Sequence, residues 1–410
     1  MTKTKSDPLY PGGVTYAAKQ PVTSLYIHVP FCKSKCFYCD FYSVPQAGSG
    51  LIQSWHRSLI RELERLAEEA EVQGLHLAPL ETLYFGGGTP SLLPPDMLIS
   101  LIDRTEKLFS LATSCDITIE ANPESYSTAQ KAGALEILAE AGVNRISFGL
   151  QSSSDKLLRR IGRRHTVMDV IFALEAAAGA GISQLAVDLM TGLPGQTLED
   201  IDETLELIAG LPVSHVSSYA LTLAQGTPLA ALFEASPGLF PDDGLEREMT
   251  HRVIHRLNSL GFEHYEISNF AKAGARSRHN LTYWKADPYM AAGPAAASYM
   301  AGIRRQNPAS LGDWTALMDH DAAGPFSRST IEEVVDEKAA RIETMILGLR
   351  ILEGVTRSRF RERHGLDYDQ VFGEQLRLLE EAGLLALEKS AVRLTEKGLD
   401  FADRVARELL

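Results

Sequence analysis

Three of the four cysteines in this 410-residue chain lie within eight positions of one another. Cys32, Cys36 and Cys39 have the spacing C-x3-C-x2-C and follow an apolar run that is typical of a β-strand. Thiolates are the usual ligands of iron-sulfur clusters, and a short loop allows three of them to reach one cluster. We therefore predict that these cysteines bind a [4Fe-4S] cluster.

Three protein ligands leave the fourth iron of such a cluster open. An open iron can chelate the amino and carboxylate groups of S-adenosylmethionine and pass an electron into its sulfonium. The alternative is a zinc site with His28 or Asp40 as fourth ligand, but structural zinc sites typically draw on two separated pairs of ligands, which this sequence lacks. Cys115 stands alone in a strand-like run, and we interpret it as a buried core thiol.

The composition limits the class of protein. The chain is 45% hydrophobic, enough for a large core, and its length indicates one large domain with a smaller one. Its 40 basic and 53 acidic residues give a net charge of -13, which disfavours broad binding to nucleic acid. Neither a secretory signal nor an apolar run of spanning length is visible. We expect a cytoplasmic protein without a transmembrane segment.

Short β-rich runs alternate with amphipathic helical patterns between Ser24 and Phe270. This alternation is typical of βα units around a parallel sheet. Six units fit better than eight, so we predict an α/β fold with a partial (β/α)6 barrel similar to a TIM barrel. The predicted strands are 25–29, 82–85, 117–120, 145–148, 184–189 and 215–221.

Most glycine, proline and polar clusters directly follow the predicted strands. In α/β proteins the carboxyl ends of parallel strands meet at one edge, where the functional sites lie. The sequence therefore predicts one continuous site at this edge. The clusters are 32–39, 86–90, 120–123, 149–151 and 188–195.

The pattern changes near residue 331 to three helices, a short β-hairpin and a last helix, which resembles a winged helix. Residues 331–410 hold 13 basic and 17 acidic residues, a net charge of -4, so DNA recognition by this shape is disfavoured. We expect a structural or partner-docking role. The predicted division is an N-terminal extension (1–20), a barrel (21–270), a connecting region (271–330) and a C-terminal domain (331–410).

The cysteine triad resembles that of the radical S-adenosylmethionine (radical SAM) superfamily. Further segments resemble its HemN-like branch, namely 25–32, 85–91, 120–123, 144–147 and 188–197. Within that branch, two features resemble the HemW-type heme chaperones rather than the coproporphyrinogen III dehydrogenases. Phe41 stands where the dehydrogenases carry an additional cysteine, and 279–284 match an H-N-x-x-Y-W motif. The resemblance implies a radical SAM barrel with a HemN-like, winged-helix-type C-terminal domain.

The resemblance also implies roles for residues along the predicted edge. Glycines after a strand let the backbone approach a ligand and offer it amides. Carboxylates at strand ends, such as Glu120 and Asp188, are costly to bury unless they meet a ligand, although a salt-bridged barrel rim is the structural alternative. The residues implied for S-adenosylmethionine are Tyr26, Tyr38, Gly87, Gly88, Thr89, Glu120, Gln151, Arg163, Asp188, Ala220 and Ala297.

Heme is the cargo that the resemblance implies. An imidazole can ligate heme iron while aromatic rings cover the macrocycle, so His279, Tyr283 and Trp284 form the candidate heme site. The alternative is that His279 is a core residue with satisfied polar atoms. Two departures concern the heme or substrate contacts: Ala297 replaces a histidine usual in the family, and residues 223–228 lack its usual acidic residue.

The leading functional hypothesis is a heme chaperone for insertion into respiratory hemoproteins. Its expected partners are heme or a porphyrin, a heme-accepting respiratory protein and an electron donor, and heme delivery would add peripheral association with a membrane. The alternatives are oxidative decarboxylation of coproporphyrinogen III and radical methylation or cyclopropanation of a small molecule. No catalytic residue is assigned.

Overall fold

The computed structural model describes residues 20–319 and 329–410. Most of the predicted N-terminal extension (1–19) and a part of the predicted connecting region (320–328) lie outside the described residues. The strands are β1 (Val22–Val29), β2 (Phe31–Cys32), β3 (Val44–Pro45), β4 (Leu77–Gly87), β5 (Leu111–Ala121), β6 (Arg145–Gln151), β7 (Gln184–Thr191), β8 (His215–Ala220), β9 (Glu263–Glu266), β10 (Asn269–Ala271), β11 (Met290–Ala292), β12 (Ala297–Met300), β13 (Ile303–Gln306), β14 (Thr330–Val334), β15 (Val355–Thr356), β16 (Leu385–Leu387) and β17 (Ala391–Leu394).

The α-helices of the described chain lie between these strands, except for the last two, which follow β17. They are α1 (Ser49–Gln73), α2 (Pro95–Phe109), α3 (Ala129–Glu140), α4 (Asp155–Arg160), α5 (Val167–Gly179), α6 (Leu198–Ala209), α7 (Pro228–Ala235), α8 (Asp243–Ser259), α9 (Arg278–Trp284), α10 (Leu311–Asp319), α11 (Glu337–Gly348), α12 (Arg357–His364), α13 (Asp369–Glu381), α14 (Glu396–Asp400) and α15 (Ala402–Glu408). Within residues 20–319 and 329–410, none is long and apolar enough to cross a membrane.

A nine-stranded sheet forms the larger part of the molecule. Its order is β11-β1-β4-β5-β6-β7-β8-β10-β9, and the six strands from β1 to β8 in this order pair in parallel with their neighbours. Side chains from all six strands line one cavity, so the sheet curves around it. The predicted partial (β/α)6 barrel is confirmed.

Two additions complete the sheet at its edges. At one edge, β11 is parallel to β1. At the other edge, β10 is antiparallel to both of its neighbours, β8 and β9. The first addition belongs to the predicted connecting region, which therefore contributes to the barrel sheet. Its strand has only three residues, too few for an alternating pattern to identify it.

Apolar and polar residues alternate along the six barrel strands. Successive side chains point to opposite faces of a sheet, so one face packs against the helices while the other faces the interior. The polar face surrounds the cavity and includes Tyr26, Tyr84, Thr118, Glu120, Arg145, Ser147, Asp188, His215 and Ser217. The apolar face is buried in the main core and includes Leu25, Ile27, Leu83, Phe85, Ile119, Ile146, Phe148, Val187 and Val216. This barrel interior is polar, whereas a complete TIM barrel is filled by branched apolar side chains.

Cys115 is buried in the main core, as predicted.

A buried carboxylate on α1 fastens the chain that follows β11. Glu62 accepts hydrogen bonds from Gly293 N (2.7 Å), Asn307 Nδ2 (2.6 Å) and Trp314 Nε1 (3.2 Å). Three donors converge on one carboxylate, an arrangement that offsets the cost of burying it. The segment from β11 to α10 is thereby held against the barrel.

The C-terminal domain has its own core. Helices α11 to α13 pack on a three-stranded antiparallel sheet of order β15-β17-β16, whose first strand lies between α11 and α12 in the chain. Their apolar faces meet around residues such as Phe360, Phe372, Leu376 and Val392. The predicted winged-helix-like domain is confirmed. Its contacts with the barrel region include the ion pair of Arg363 and Asp287 (3.2 Å) and the hydrogen bond between His251 Nε2 and Asp400 Oδ1 (2.8 Å).

Candidate functional site

A cavity of about 700 Å³ runs from the carboxyl edge of the sheet into the barrel interior. Small-molecule sites typically enclose about 300–1,000 Å³. Most residues singled out for the cluster or the cofactor line this cavity, as the sequence predicted for this edge. They are Tyr26, Cys32, Cys36, Tyr38, Cys39, Gly87, Gly88, Thr89, Glu120, Gln151, Arg163, Asp188 and Ala220.

The cysteine loop forms one wall of the cavity. Cys32, Cys36 and Cys39 are partly exposed and form no disulfide. Two sulfurs accept hydrogen bonds at 3.6 Å, Cys32 Sγ from Thr89 Oγ1 and Cys36 Sγ from Arg163 Nη1. Such donors stabilise thiolates. Three free thiols on one cavity wall, with donors already turned toward them, fit an iron-sulfur cluster.

Burial raises the pKa of the Cys32 and Cys39 thiols. These sulfurs are therefore protonated in the ligand-free protein, and binding a cluster releases their protons. Among the described residues, no group of three His, Cys, Asp or Glu side chains is placed to hold a single metal ion.

The glycine loop (residues 86–90), which includes the end of β4, packs directly against β1 and β2. Gly87 has a φ of +104°, and a Cβ there would lie 2.3 Å from His28 Cε1. A Cβ on Gly88 would lie 2.6 Å from Phe31 O. Neither position tolerates a side chain, so the glycines are required for this close approach.

The amides of the glycine loop are already used inside the protein. Gly87 N donates to Glu120 Oε2 (3.0 Å), Gly88 N to Val29 O (2.8 Å) and Thr89 N to Phe31 O (2.7 Å). The expectation that these amides are offered to a ligand is therefore wrong, because each has a protein acceptor. The loop instead positions the cysteine wall and Glu120.

Two carboxylates project into the cavity from neighbouring parts of the sheet. Glu120 accepts from Tyr84 OH (2.8 Å) as well as from Gly87 N, and Asp188 accepts from Ser147 Oγ (3.3 Å). Burial raises the pKa of Glu120 to about 7 and that of Asp188 to about 6. Among the described residues, neither Glu120 nor Asp188 forms a salt bridge. The alternative interpretation, a salt-bridged rim of the barrel, is therefore not supported. Both carboxylates are suited to accept from ammonium or hydroxyl groups of a ligand.

The raised pKa of Glu120 predicts a pH-dependent stability. A carboxyl whose pKa is 4.5 in the unfolded chain and about 7 in the folded one opposes folding once it ionises, so the free energy of unfolding falls by about 3 kcal/mol as pH rises from about 4.5 to about 7. Glu120→Gln removes this loss. We expect calorimetry of ligand-free protein to show a higher Tm for the variant near pH 8 and similar values near pH 5. Glu203→Gln, which alters an exposed carboxylate, is the control. The same Tm difference between Glu120→Gln and wild type at both pH values would contradict the prediction.

Arg163 connects the cysteine loop to the ends of the neighbouring strands. Its Nη2 donates to Asn122 Oδ1 (2.7 Å) and Gly149 O (2.9 Å), while Nη1 reaches Cys36 Sγ. Gln151 adopts a φ of 65°, where β6 shifts register against β7. A non-glycine residue in this region is uncommon, and a bulge re-aims side chains next to functional sites. Gln151 is thereby directed into the cavity.

His279 lies at the cavity wall with both ring nitrogens engaged. Nδ1 lies 2.8 Å from Thr82 Oγ1 and Nε2 lies 2.8 Å from Tyr283 OH, while the ring stacks on Tyr84 at 4.8 Å. Burial lowers the pKa of His279 to about 3, so the imidazole is neutral. To ligate heme iron it would have to lose a hydrogen bond and leave its stacked position. This geometry favours the alternative of a satisfied buried histidine.

Two predicted residues lie apart from the cavity. Trp284 does not line it and instead packs beneath Arg350, whose guanidinium carbon lies 4.3 Å from the ring centroid. Ala297 begins β12, pairs with Gln306 and does not line the cavity either. The structure thus brings His279 and Tyr283 to the site but leaves Trp284 and Ala297 outside it.

Several lining residues were missed by sequence reasoning. They lie within strands, whereas the clusters singled out from the sequence follow the strands. The alternation of polar and apolar residues could have identified them, because polar residues at every second position of a strand mark the interior face of the barrel. The missed residues are Tyr84, Thr118, Arg145, Ser147, His215, Ser217 and Tyr219.

A curved parallel sheet around a polar chamber, with three free cysteines on a loop at its carboxyl edge, defines a radical SAM protein. Residues 26–208 match the Radical SAM superfamily, and residues 335–401 match the HemN C-terminal domain. A [4Fe-4S] cluster and S-adenosylmethionine are the cofactors that this superfamily implies.

Full-length relatives narrow the family further. The chain is 36% identical to heme chaperone HemW of Bacillus subtilis over 92% of this chain and 96% of that protein. It is 33% identical to heme chaperone HemW of Lactococcus lactis over 95% and 98% of the two chains. The chain therefore belongs to the HemW family. Coproporphyrinogen III oxidase (HemN) from Escherichia coli, a radical SAM enzyme, has the same fold, with a TM-score of 0.80 over 97% of this chain and 91% of that one at 20% identity.

Proposed function

We propose that this protein is a heme chaperone that binds heme and passes it to a heme-accepting respiratory protein. The observation that carries the proposal is the similarity to heme chaperones over almost the whole chain. Position 41 adds support, because a phenylalanine stands where the coproporphyrinogen III dehydrogenases have an additional cysteine. Delivery to a respiratory acceptor would bring the protein to a membrane surface.

We further propose that Cys32, Cys36 and Cys39 hold the [4Fe-4S] cluster. The bound cluster and S-adenosylmethionine supply one-electron chemistry, with the electron coming from a separate donor. The chain's own contribution is to orient and enclose them. Arg163 donates to Cys36 Sγ and Thr89 to Cys32 Sγ, while Glu120 and Asp188 line the cavity and would accept from the cofactor. Tyr26, Tyr38, Gln151 and Ala220 complete the cofactor surface.

The proposed position for heme is the mouth of the cavity. Phe41 is 63% exposed and Tyr219 is 43% exposed, and both line the cavity. Large apolar side chains on a cavity rim mark surfaces that a ligand covers, and aromatic rings can pack on the flat face of a porphyrin. The mouth thus offers apolar area that the enclosed, hydrogen-bonded His279 does not.

Heme titration of the anaerobically reconstituted protein tests this proposal. We expect saturable uptake with a Soret band, weakened about tenfold by Phe41→Ser because apolar cover is lost, while the absorbance of the cluster stays unchanged. Phe233→Ser is the matched control, since Phe233 is 40% exposed on α7 and does not line the cavity. Equal effects of the two substitutions would contradict the proposed position, and a protein without heme uptake would contradict the function.

His279→Ala separates the two candidate heme sites. Because both ring nitrogens of His279 have partners inside the protein, we expect this variant to keep the position of the Soret band and the affinity for heme. Absorption spectra recorded during the titration provide the check. A displaced Soret band in a variant that retains its cluster would restore His279 as an axial ligand.

A further inference from the structure

The barrel interior has a floor whose residues are not among those proposed for the cluster or the cofactor. Arg145 is the first residue of β6 and His215 the first of β8, so both lie at the opposite ends of the strands from the cysteine loop. Both line the cavity, although they are only 2% and 3% exposed. A ligand can therefore reach them only through the chamber.

Within the described chain, Arg145 uses only one of its guanidinium nitrogens in hydrogen bonds. Nη2 donates to Gln184, to Ala275 O (3.0 Å) and to Arg276 O (3.1 Å). Nε and Nη1 are buried and have no acceptor among the residues that the structure describes. A buried guanidinium with unused donors is costly, because its solvation by water is lost and not replaced.

The carboxylate nearest to Arg145 is shared with a second arginine. Asp116 Oδ2 lies 3.9 Å from Arg145 Nη2, beyond hydrogen-bonding distance, while Asp116 Oδ1 lies 3.2 Å from Arg278 Nη2. Asp116 therefore pairs more closely with Arg278. Arg145, which lines the chamber, therefore keeps a positive charge that Asp116 only partly offsets.

His215 adds a third donor to the same floor. Tyr265 OH accepts from Ser277 N (3.2 Å) and lies 2.9 Å from His215 Nε2. Because the phenol hydrogen has no other acceptor within the described chain, we assign it to the hydrogen bond with Nε2. The ring hydrogen of neutral His215 is then on Nδ1. Burial and the charge of Arg145 keep the pKa of His215 at about 3, and Nδ1 has no acceptor within the described chain.

We propose that this floor binds the carboxylate of an organic ligand whose remaining atoms extend along the barrel toward Glu120 and Asp188. Three unused donors and one positive charge select an anion and reject an ammonium group, and charge-assisted hydrogen bonds to a carboxylate are the strong kind. The ligand is either a free small carboxylic acid or a porphyrin that inserts a propionate. The two share this chemistry, and the subsite does not depend on the proposed heme function.

Propionate binding to the full chain, reconstituted with cluster and S-adenosylmethionine, tests the proposal by saturation-transfer NMR. We expect wild type to bind propionate at least about tenfold more tightly than propionamide, which has the same shape but no charge. This comparison needs no variant. Arg145→Lys and His215→Asn should each weaken propionate binding about tenfold or more, whereas the surface variant Arg252→Lys should not.

The proposed subsite would be overturned if wild type binds propionate and propionamide with equal affinity, or binds neither. It would also be overturned if the Arg145 and His215 variants are folded and bind propionate as tightly as wild type. Heme titration of the same samples identifies the source of the carboxylate. Heme binding weakened by Arg145→Lys and by saturating propionate assigns the subsite to a porphyrin propionate, and unchanged heme binding assigns it to a separate small acid. Normal propionate binding without heme uptake would instead contradict only the proposed function.

Discussion

Anaerobically reconstituted protein that carries Cys36→Ala should lack the broad visible absorbance and the bound iron of wild type. The three thiols on the cavity wall are the ligands available for the cluster, and Cys36 Sγ is the one that Arg163 contacts directly. With two thiolates left, the cluster would have two open irons instead of one and would not persist. Visible absorbance and iron content after desalting measure the effect, which we expect to be nearly complete.

Cys115→Ala is the matched control for this experiment. Cys115 is 6% exposed within the main core and does not line the cavity, so its loss should leave iron content unchanged. Its removal costs only some packing. If both variants lose the cluster to the same degree, the assignment of Cys32, Cys36 and Cys39 fails.

Glu120→Gln and Asp188→Asn should each weaken S-adenosylmethionine binding about ten- to a hundredfold, which corresponds to the roughly 1.5–3 kcal/mol of a charged hydrogen bond. Both carboxylates face the cavity, and the few hydrogen bonds that they accept within the protein leave lone pairs for a ligand. Calorimetry on reconstituted protein measures the affinity. Iron content should stay at the wild-type level.

The same substitution at Glu120 is expected to raise the Tm near pH 8, because the buried carboxylate opposes folding when it is ionised. Higher stability together with weaker cofactor binding would distinguish a functional carboxylate from a structural one. A structural carboxylate would lose stability when neutralised. Glu203→Gln, which alters an exposed carboxylate, should change neither quantity, and unchanged affinity in Glu120→Gln would return this residue to a structural role.

The sequence predicted the features that follow from local pattern. Six barrel strands, the helices between them and the winged-helix-like domain could be predicted because apolar periodicity is a strong local signal. The cysteine loop could be predicted because its spacing alone carries the chemistry. The strands, the helices and the winged-helix-like domain agree with the structure, whereas ligation of a cluster by the three cysteines stays a prediction.

Features that depend on distant pairing could not be predicted in the same way. The pairing of β11 with β1 joins segments about 260 residues apart in sequence, through a strand of three residues. The three hydrogen bonds that Glu62 accepts come from residues more than 200 positions away. The expectation for the glycine loop was wrong for the same reason, since its amide acceptors on β1, β2 and β5 only become visible in three dimensions.

The most direct test of the proposed function is one anaerobic preparation with an intact cluster, divided between heme and coproporphyrinogen III. The first sample receives heme. The second receives coproporphyrinogen III, S-adenosylmethionine and a reductant, and released carbon dioxide is measured. A heme chaperone should take up heme with a stable Soret band and release no carbon dioxide from the porphyrinogen. Carbon dioxide release at many turnovers by a protein that takes up no heme would contradict the proposed function and establish a decarboxylating enzyme instead.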